Sequence, residues 1–315
     1  MGQPDHARGP LTRLQISGYV LLCLIWGSTW LAIRVVVHDV PPLKAAAIRF
    51  LIAAILLLSS MLFRKTQWPR GARQWNAILV LSVTVMAAPY ALLFWAEQYV
   101  PSGMTALLFS AMPLMVAMFT SFMLHRKVPR SAILAMVVAF GGLLVLFQGE
   151  LSANRHIFLG GVAVLSAIVL SSWSVVFAKK RLQDVAPVIS TGLQFLFAAV
   201  VLFWGTWALE SHRQTNWNNR ALAALVFLAT FGSAAAFLLY YWLLKHMQPY
   251  QLSTISLVTP IIAVILGALL GGESIPLMMI ISMIVVLGAV AMVLRVEASD
   301  DQVRDRILFA RGEAE

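Results

Sequence analysis

Apolar runs of about 20 residues recur from near the start of this chain to near its end. Nothing else in the sequence restricts the fold so strongly. A stretch of that length reaches across a bilayer as a helix. Lipid offers no partner to a backbone N–H or C=O, so such a stretch must satisfy its hydrogen bonds internally. The alternative, a large soluble core, requires a charged coat. Only 11% of the 315 residues are charged and 60% are hydrophobic, against about a quarter charged in soluble domains. The expected fold class is therefore an all-α polytopic membrane protein. Ten transmembrane helices are expected, over roughly 15–37, 42–63, 75–99, 102–123, 131–148, 159–178, 187–209, 220–244, 251–271 and 275–295. The connections between them are short, and no soluble domain is inserted.

The polar, basic start MGQPDHARGPLTRLQ has no evident small-residue cleavage site, so the first run reads as a retained span. With that end placed inside, most Lys and Arg residues fall on one face. The loops and ends of the other face hold only Lys44, Arg155, Arg213 and Arg220. Basic residues gather in cytoplasmic loops, which predicts that both termini are cytoplasmic. The same rule explains the net charge of +10 without nucleic acid. Cys23 is the single cysteine, which excludes an intramolecular disulfide and a cysteine-based metal site.

The chain repeats itself. Trp26 and Trp173, Arg34 and Arg181, Trp95 and Trp242, Pro113 and Pro260, Pro129 and Pro276, Gly141 and Gly288, and Glu150 and Glu297 each stand 147 positions apart. HDVPP at 38–42 is echoed by QDVAP at 183–187. Two halves of five spans each follow, and an odd number turns the second half upside down relative to the first. The expected organisation is a cytoplasmic N-terminus (1–14), two five-helix repeats (15–148 and 159–295) and a cytoplasmic tail (296–315). Inverted repeats are the architecture of secondary transporters, whose substrate sits near the midplane between halves.

Within the spans, several residues have no use in a mere anchor. Trp26 and Trp173 lie near mid-span, whereas membrane tryptophans usually mark the interface; they can stack on a ligand, close a gate, or pack between helices. Ser28, Thr29, Ser171, Ser172 and Ser174 can bond a substrate or tighten helix contacts. Pro113 and Pro260 fall near the middle of spans 4 and 9. There they remove a backbone bond and free carbonyls around Phe109 and Ser256, beside Ser110 and Thr259. Arg34, Arg49 and Glu97 all fall in the outer third, Arg49 roughly 10 Å deep at 1.5 Å per residue. Ionisable groups at such depth face a partner or a watery path, so Glu97 is expected to pair with Arg49 or Arg34. In the second half Arg181 is kept, but Gln194 and Leu244 replace Arg49 and Glu97, so the two gates should differ in polarity. No Asp or Glu sits at mid-span, which weakens strong proton coupling; facilitation, exchange or coupling through Glu97 stay open.

Other chemistries lack their residues. There is no GxxxxGK[ST] loop for ATP and no HExxH pair, and no His or Asp base lies at the depth of Ser102. An enzyme is not expected, and neither a cofactor nor a metal.

WGSTWLAIR followed by PPLKAAAIRF, AEQYVPSGMTALLFSAMPL, and FGSAAAFLLYYWLL with STISLVTPIIAVILGALLGGESI together resemble the EamA-type family of the drug/metabolite transporter superfamily. The resemblance spans about residues 15–295. It implies two inverted five-helix repeats around a central cavity, a prokaryotic inner-membrane location, and export of metabolites such as amino acids or of drug-like compounds. The family's tryptophan–glycine stretch maps onto Trp26 and Gly27, its span-2 arginine onto Arg49, its span-3 glutamate onto Glu97 and its second-half acidic loop residue onto Glu273. The first half departs from the pattern at HRKVP (125–129), so Glu273 has no symmetric counterpart.

The resulting expectation is an exporter working by alternating access, with the bilayer and a small-molecule substrate as its partners and its oligomeric state open. Spans 1, 3, 4, 6, 8 and 9 would line the cavity. Trp26, Tyr90, Trp173 and Tyr240 would form an aromatic wall, with Ser28, Thr29, Ser110 and Thr259 offering hydrogen bonds. Arg34, Arg49 and Glu97 would form the outer gate, and Pro113 and Pro260 the hinges. Rival readings are uptake of a solute such as a sugar, and a non-transporting scaffold or receptor subunit.

Overall fold

The structure, a computed structural model, describes residues 12–61, 68–124, 155–182, 185–246 and 255–271, with scattered positions at 134–138 and 275–288. Every regular element among them is helical: α1 (Arg13–Asp39), α2 (Pro42–Ser59), α3 (Ala72–Ala96), α4 (Ser102–Phe109), α5 (Met112–Leu124), α6 (Arg155–Arg181), α7 (Pro187–Leu209), α8 (Asn219–His246) and α9 (Ile255–Gly271). Six of the described helices are long and apolar enough to cross a membrane: those of α1, α2, α3, α6, α7 and α8. Two shorter apolar stretches, Ser102–Val116 across α4 and the start of α5 and Val258–Leu270 within α9, accompany them. The chain is thus a polytopic helical membrane protein. The expected span 131–148 lies almost wholly, and 275–295 about half, outside the described residues; the HRKVP turn, Glu273 and the C-terminal tail lie outside them altogether.

Local chemistry fixes the helix ends. Thr12 and Gln15 form a reciprocal capping box at the start of α1, with N···O distances of 2.9 and 3.3 Å. Pro42 and Pro187 occupy the first turn of α2 and α7, where a missing N–H leaves no bond unmade. Asn218 caps α8 by accepting from the Ala221 N–H at 2.8 Å.

Two helices depart from α geometry at matching places. α3 carries a π-helical turn at Ser82–Ala87 and α8 another at Thr230–Ala235. The proline positions behave differently from one another. The chain breaks at Ser110–Ala111, just ahead of Pro113, separating α4 from α5. Pro260 sits inside an unbroken α9.

Packing follows the repeat. α2 lies against α7, and Phe50 stacks on Phe195 with centroids 4.9 Å apart and planes inclined 14°. These two phenylalanines stand 145 positions apart, the same spacing as HDVPP and QDVAP. The contact of α1 with α8 is answered by that of α6 with α3, and α1 on α9 by α6 on α5. The central core runs through Phe50, Phe94, Phe195, Leu202 and Leu225. A lateral core joins α3, α4, α5 and α6 through Leu93, Leu107, Leu114 and Ile168; the other joins α1, α8 and α9 through Leu22, Leu243 and Ile255. The outer face is also apolar: Trp204, Trp207 and Leu269 are each at least 70% exposed, the inverse of a soluble surface and suited to lipid.

Candidate functional site

Arg49 is the polar centre of the molecule. It projects from α2, is 2% exposed, and reaches the π-helical turn of α8. There its Nε donates to Ser233 Oγ at 2.9 Å and its Nη2 to the Gly232 carbonyl at 3.4 Å. Ser233 is 14 positions past Asn219, about 21 Å along α8 at 1.5 Å per residue, near the midpoint of that helix. Around the guanidinium stand the rings of Tyr90, Phe50 and Phe94, at 5.0, 5.7 and 5.8 Å from its carbon to their centroids. Such ring contacts contribute about 0.5–2 kcal/mol each. Burying an arginine within a membrane-spanning helix costs up to about 3 kcal/mol on insertion scales and several times more for an isolated helix. The cage and the two neutral acceptors offset a large part of that cost. The expected Arg49–Glu97 pair does not form, because Ser233 and Gly232 take Arg49 across the bundle. Glu97 closes the C-terminal end of α3 and is 1% exposed, and Arg34 donates from Nη1 to the Val100 carbonyl at 3.0 Å.

The aromatic candidates divide into two places. Trp26 meets Tyr240 at 5.5 Å and Phe237 at 5.9 Å, and Phe237 in turn meets Phe195 edge-on at 5.4 Å. Tyr90 meets Phe50 at 4.8 Å, so a run of rings links Trp26 to the Arg49 cage. Trp173 makes its ring contact within α6, stacked on Phe177 at 4.9 Å.

Three hydroxyl candidates donate to nearby backbone, Ser28 and Thr29 within α1 and Ser110 back to the last turn of α4. Ser28 bonds the Ile25 carbonyl at 2.8 Å, Thr29 that of Trp26 at 2.7 Å and Ser110 that of Leu107 at 2.6 Å. Toward a ligand these oxygens are acceptors. Thr259 is buried on α9, beside the closest approach of α1: a Cβ added at Gly27 would lie 2.6 Å from Ile262 and 3.3 Å from the Thr259 carbonyl. Ser172 and Ser174 tie α6 to its neighbours through the Met112 carbonyl (3.4 Å) and Thr84 (2.7 Å).

A second polar cluster, not foreseen in the sequence, joins the turn between α1 and α2 to the connection between α7 and α8. Glu210, 7% exposed, accepts from the Leu43 and Lys44 N–H groups at 3.1–3.2 Å, countering the positive end of α2. Lys44 Nζ donates to Thr215 at 2.8 Å, Asn218 to the Asp39 carboxylate at 2.8 Å, and the Asn216 N–H to the Asp39 carbonyl at 2.9 Å. Arg213 donates to Gln98 at 2.9 Å, drawing in the α3–α4 turn. Both clusters bridge residues more than 100 positions apart in the chain, and no local sequence signal marks such pairs.

The model of the EamA-like transporter family matches residues 14–148 and again 158–295. The chain belongs to the EamA-like transporter family. Among similar proteins are PagO of Salmonella typhimurium, 29% identical over 261 residues (82% of this chain, 85% of PagO), and the uncharacterized transporter YoaV of Bacillus subtilis, 25% identical over 272 residues (85% and 92%). The uncharacterized inner membrane transporter YedA of Escherichia coli K12 is 30% identical over 255 residues (80% and 81%). A solved crystal structure has the same fold, with a TM-score of 0.63 at 18% identity, covering 90% of this chain and 96% of its own. This EamA-like protein is accordingly a multi-pass membrane transporter.

Proposed function

We propose that this EamA-like protein is a secondary exporter of small organic metabolites, amino acids or drug-like compounds, across the inner membrane. It works by alternating access between two inverted five-helix repeats, ten spans in all, with both termini cytoplasmic. The observation that carries the reading is the Arg49–Ser233 bond, which sets a buried polar centre on the seam between the halves, where inverted-repeat transporters hold their substrate. The run of rings from Tyr240 through Trp26, Phe237 and Phe195 to Phe50 and Tyr90 supplies the apolar wall, and Ser28, Thr29, Ser110 and Thr259 supply acceptor oxygens. Trp173 faces the equivalent wall from α6, Arg34 and Glu97 shape the outer mouth, and Pro113 and Pro260 are the hinges. Inner-membrane placement agrees with the relative named as an inner membrane transporter, and export with the family resemblance.

The test is flux from proteoliposomes loaded with labelled amino acids and cationic dyes, with and without a proton gradient. Wild type should release at least one pooled solute, and Trp26→Ala and Glu97→Gln should each reduce that release in protein that inserts normally. Uptake without release would reverse the direction, and no movement of any solute would favour a scaffold.

A further inference from the structure

We infer that Arg49 is the counter-ion of a carboxylate on the transported solute, so the protein carries organic acids or zwitterions rather than organic cations. This inference rests on the transport reading above and deepens it. Arg49 is 2% exposed, yet among the described residues none of the guanidinium's contacts is to a carboxylate. The groups facing it are neutral: Phe50 on its own helix, Tyr90 and Phe94 on α3, and Gly232 and Ser233 on α8. Asp39 and Glu210 are engaged elsewhere, by Asn218 and by the N-terminus of α2.

Arginine keeps its charge, so an uncompensated guanidinium inside a membrane calls for an anion. The donors left over have a definite shape. Of five N–H groups, the Nε–H goes to Ser233 and one on Nη2 makes the long contact with Gly232, while Nη1 has no hydrogen-bond partner among the described residues. What remains is the Nη1/Nη2 edge, the fork that accepts both oxygens of a carboxylate side by side. Phe50 and Phe94 are fully buried, and Tyr90, half-buried, is the ring of the cage that offers the apolar body of such an acid a surface. A cationic solute in the same place would meet a fixed positive charge. Ser233 acts as a positioning residue, because its bond to Nε sets which edge stays unbonded.

The experiment uses full-length protein in lipid nanodiscs and three matched pairs: phenylalanine and phenylalaninamide, leucine and leucinamide, benzoate and benzamide. Thermal stabilisation is read for binding, and flux of the same compounds and of cationic dyes is read in proteoliposomes. The acid of at least one pair should stabilise and move through wild type while its amide does not. Arg49→Gln should weaken the acid response at least tenfold, Arg49→Lys should restore part of it by keeping charge without the fork, and Ser233→Ala should weaken it severalfold without changing the amide. If Arg49→Gln fails to fold, Arg49→Lys and Ser233→Ala carry the comparison. Acid binding without flux supports the anion site and counts against transport. Dyes or amides moving as well as acids, or an acid preference unchanged in Arg49→Gln and Ser233→Ala, overturns the anion site and leaves the transporter standing. No acid response together with no flux of any compound removes both.

Discussion

Gly27 shows how far a single hydrogen atom in place of a side chain can matter in this protein. An added Cβ there would lie 2.6 Å from both Cβ and Cγ2 of Ile262, atoms at the stem of a β-branched side chain that cannot swing aside. At Gly18 on the same helix, the nearest atoms are the far ends of Trp242, Leu239 and Leu243, at 3.2–3.5 Å, and these can yield. Gly27→Ala should therefore force α1 from α9 and destabilise by about 1–3 kcal/mol, as overpacking does, whereas Gly18→Ala should stay near wild type. Melting of the two variants in nanodiscs checks this; equal melting temperatures would mean that the bundle relaxes freely at Gly27. Ser28→Ala should in turn be nearly silent in stability, since its bond to the Ile25 carbonyl returns to a backbone oxygen already used in the helix. A loss of flux without a loss of stability would then mark its oxygen as a substrate contact. The WGST stretch was readable as unusual because polar residues are rare at mid-span. That its hydroxyls donate inward was not readable, since Ser and Thr make the same bond wherever a helix leaves them no better acceptor.

Among the elements, α4–α5 and α9 treat their prolines unlike each other, and that contrast gives a sharp test. Before Pro113 the helix has already broken, whereas around Pro260 it continues through Ile255–Gly271, with Pro260 buried. An interior proline costs a helix about 3 kcal/mol relative to a good helix former, so Pro260→Ala should raise the melting temperature by removing the ring's clash with the carbonyl one turn back. If α9 bends during transport, flux should fall severalfold at the same time. A more stable variant with normal flux would leave Pro260 as a matter of shape alone. The helices themselves were legible, because lipid forces any long apolar run into one form. Spans 1, 2, 3, 6, 7 and 8 accordingly appear within a few residues of their expected ends. The π-helical turns were not legible. SVTVMA and TFGSAA contain nothing that separates a π turn from an α turn, and the geometry emerges only when neighbouring helices set where Ser233 must meet Arg49. π turns gather at functional sites, and Gly232, where a Cβ would press to 2.8 Å from Thr29 Cγ2, ties this one to α1. Gly232→Ala should accordingly reduce acid-specific flux more than Gly18→Ala does, with the proteoliposome assay as the measure.

At the scale of the whole molecule, the sequence offers residue pairs 145–147 positions apart, and Phe50 stacks on Phe195, a pair with that spacing not singled out from the sequence. The strap at one end of the bundle was not legible, because Glu210, Asp39 and Asn218 each look like ordinary loop residues until the halves are brought together. Its bonds all run between the α1–α2 turn or the α3–α4 turn and the α7–α8 connection, that is, from the first half to the second. In the alternating-access cycle proposed above, the ends of the halves part once per cycle, and the strap lies across that parting. Asp39 and Asn218 are the pair to hold, since their short side chains meet at 2.8 Å. In a Cys23→Ser background, Asp39→Cys with Asn218→Cys should be joined by a short reducible cross-linker. Flux should then stop, and reduction should restore it. Each single cysteine variant, treated alike, should keep its flux. The complementary change, Glu210→Gln, weakens the contact with the N-terminus of α2 by removing its charge, which is worth about 0.3–1 kcal/mol there. It should raise labelling of a cysteine at Thr215 by a few-fold at most. Full flux in the cross-linked protein would mean that these ends stay together throughout the cycle, and solute would then have to leave between helices without the halves separating.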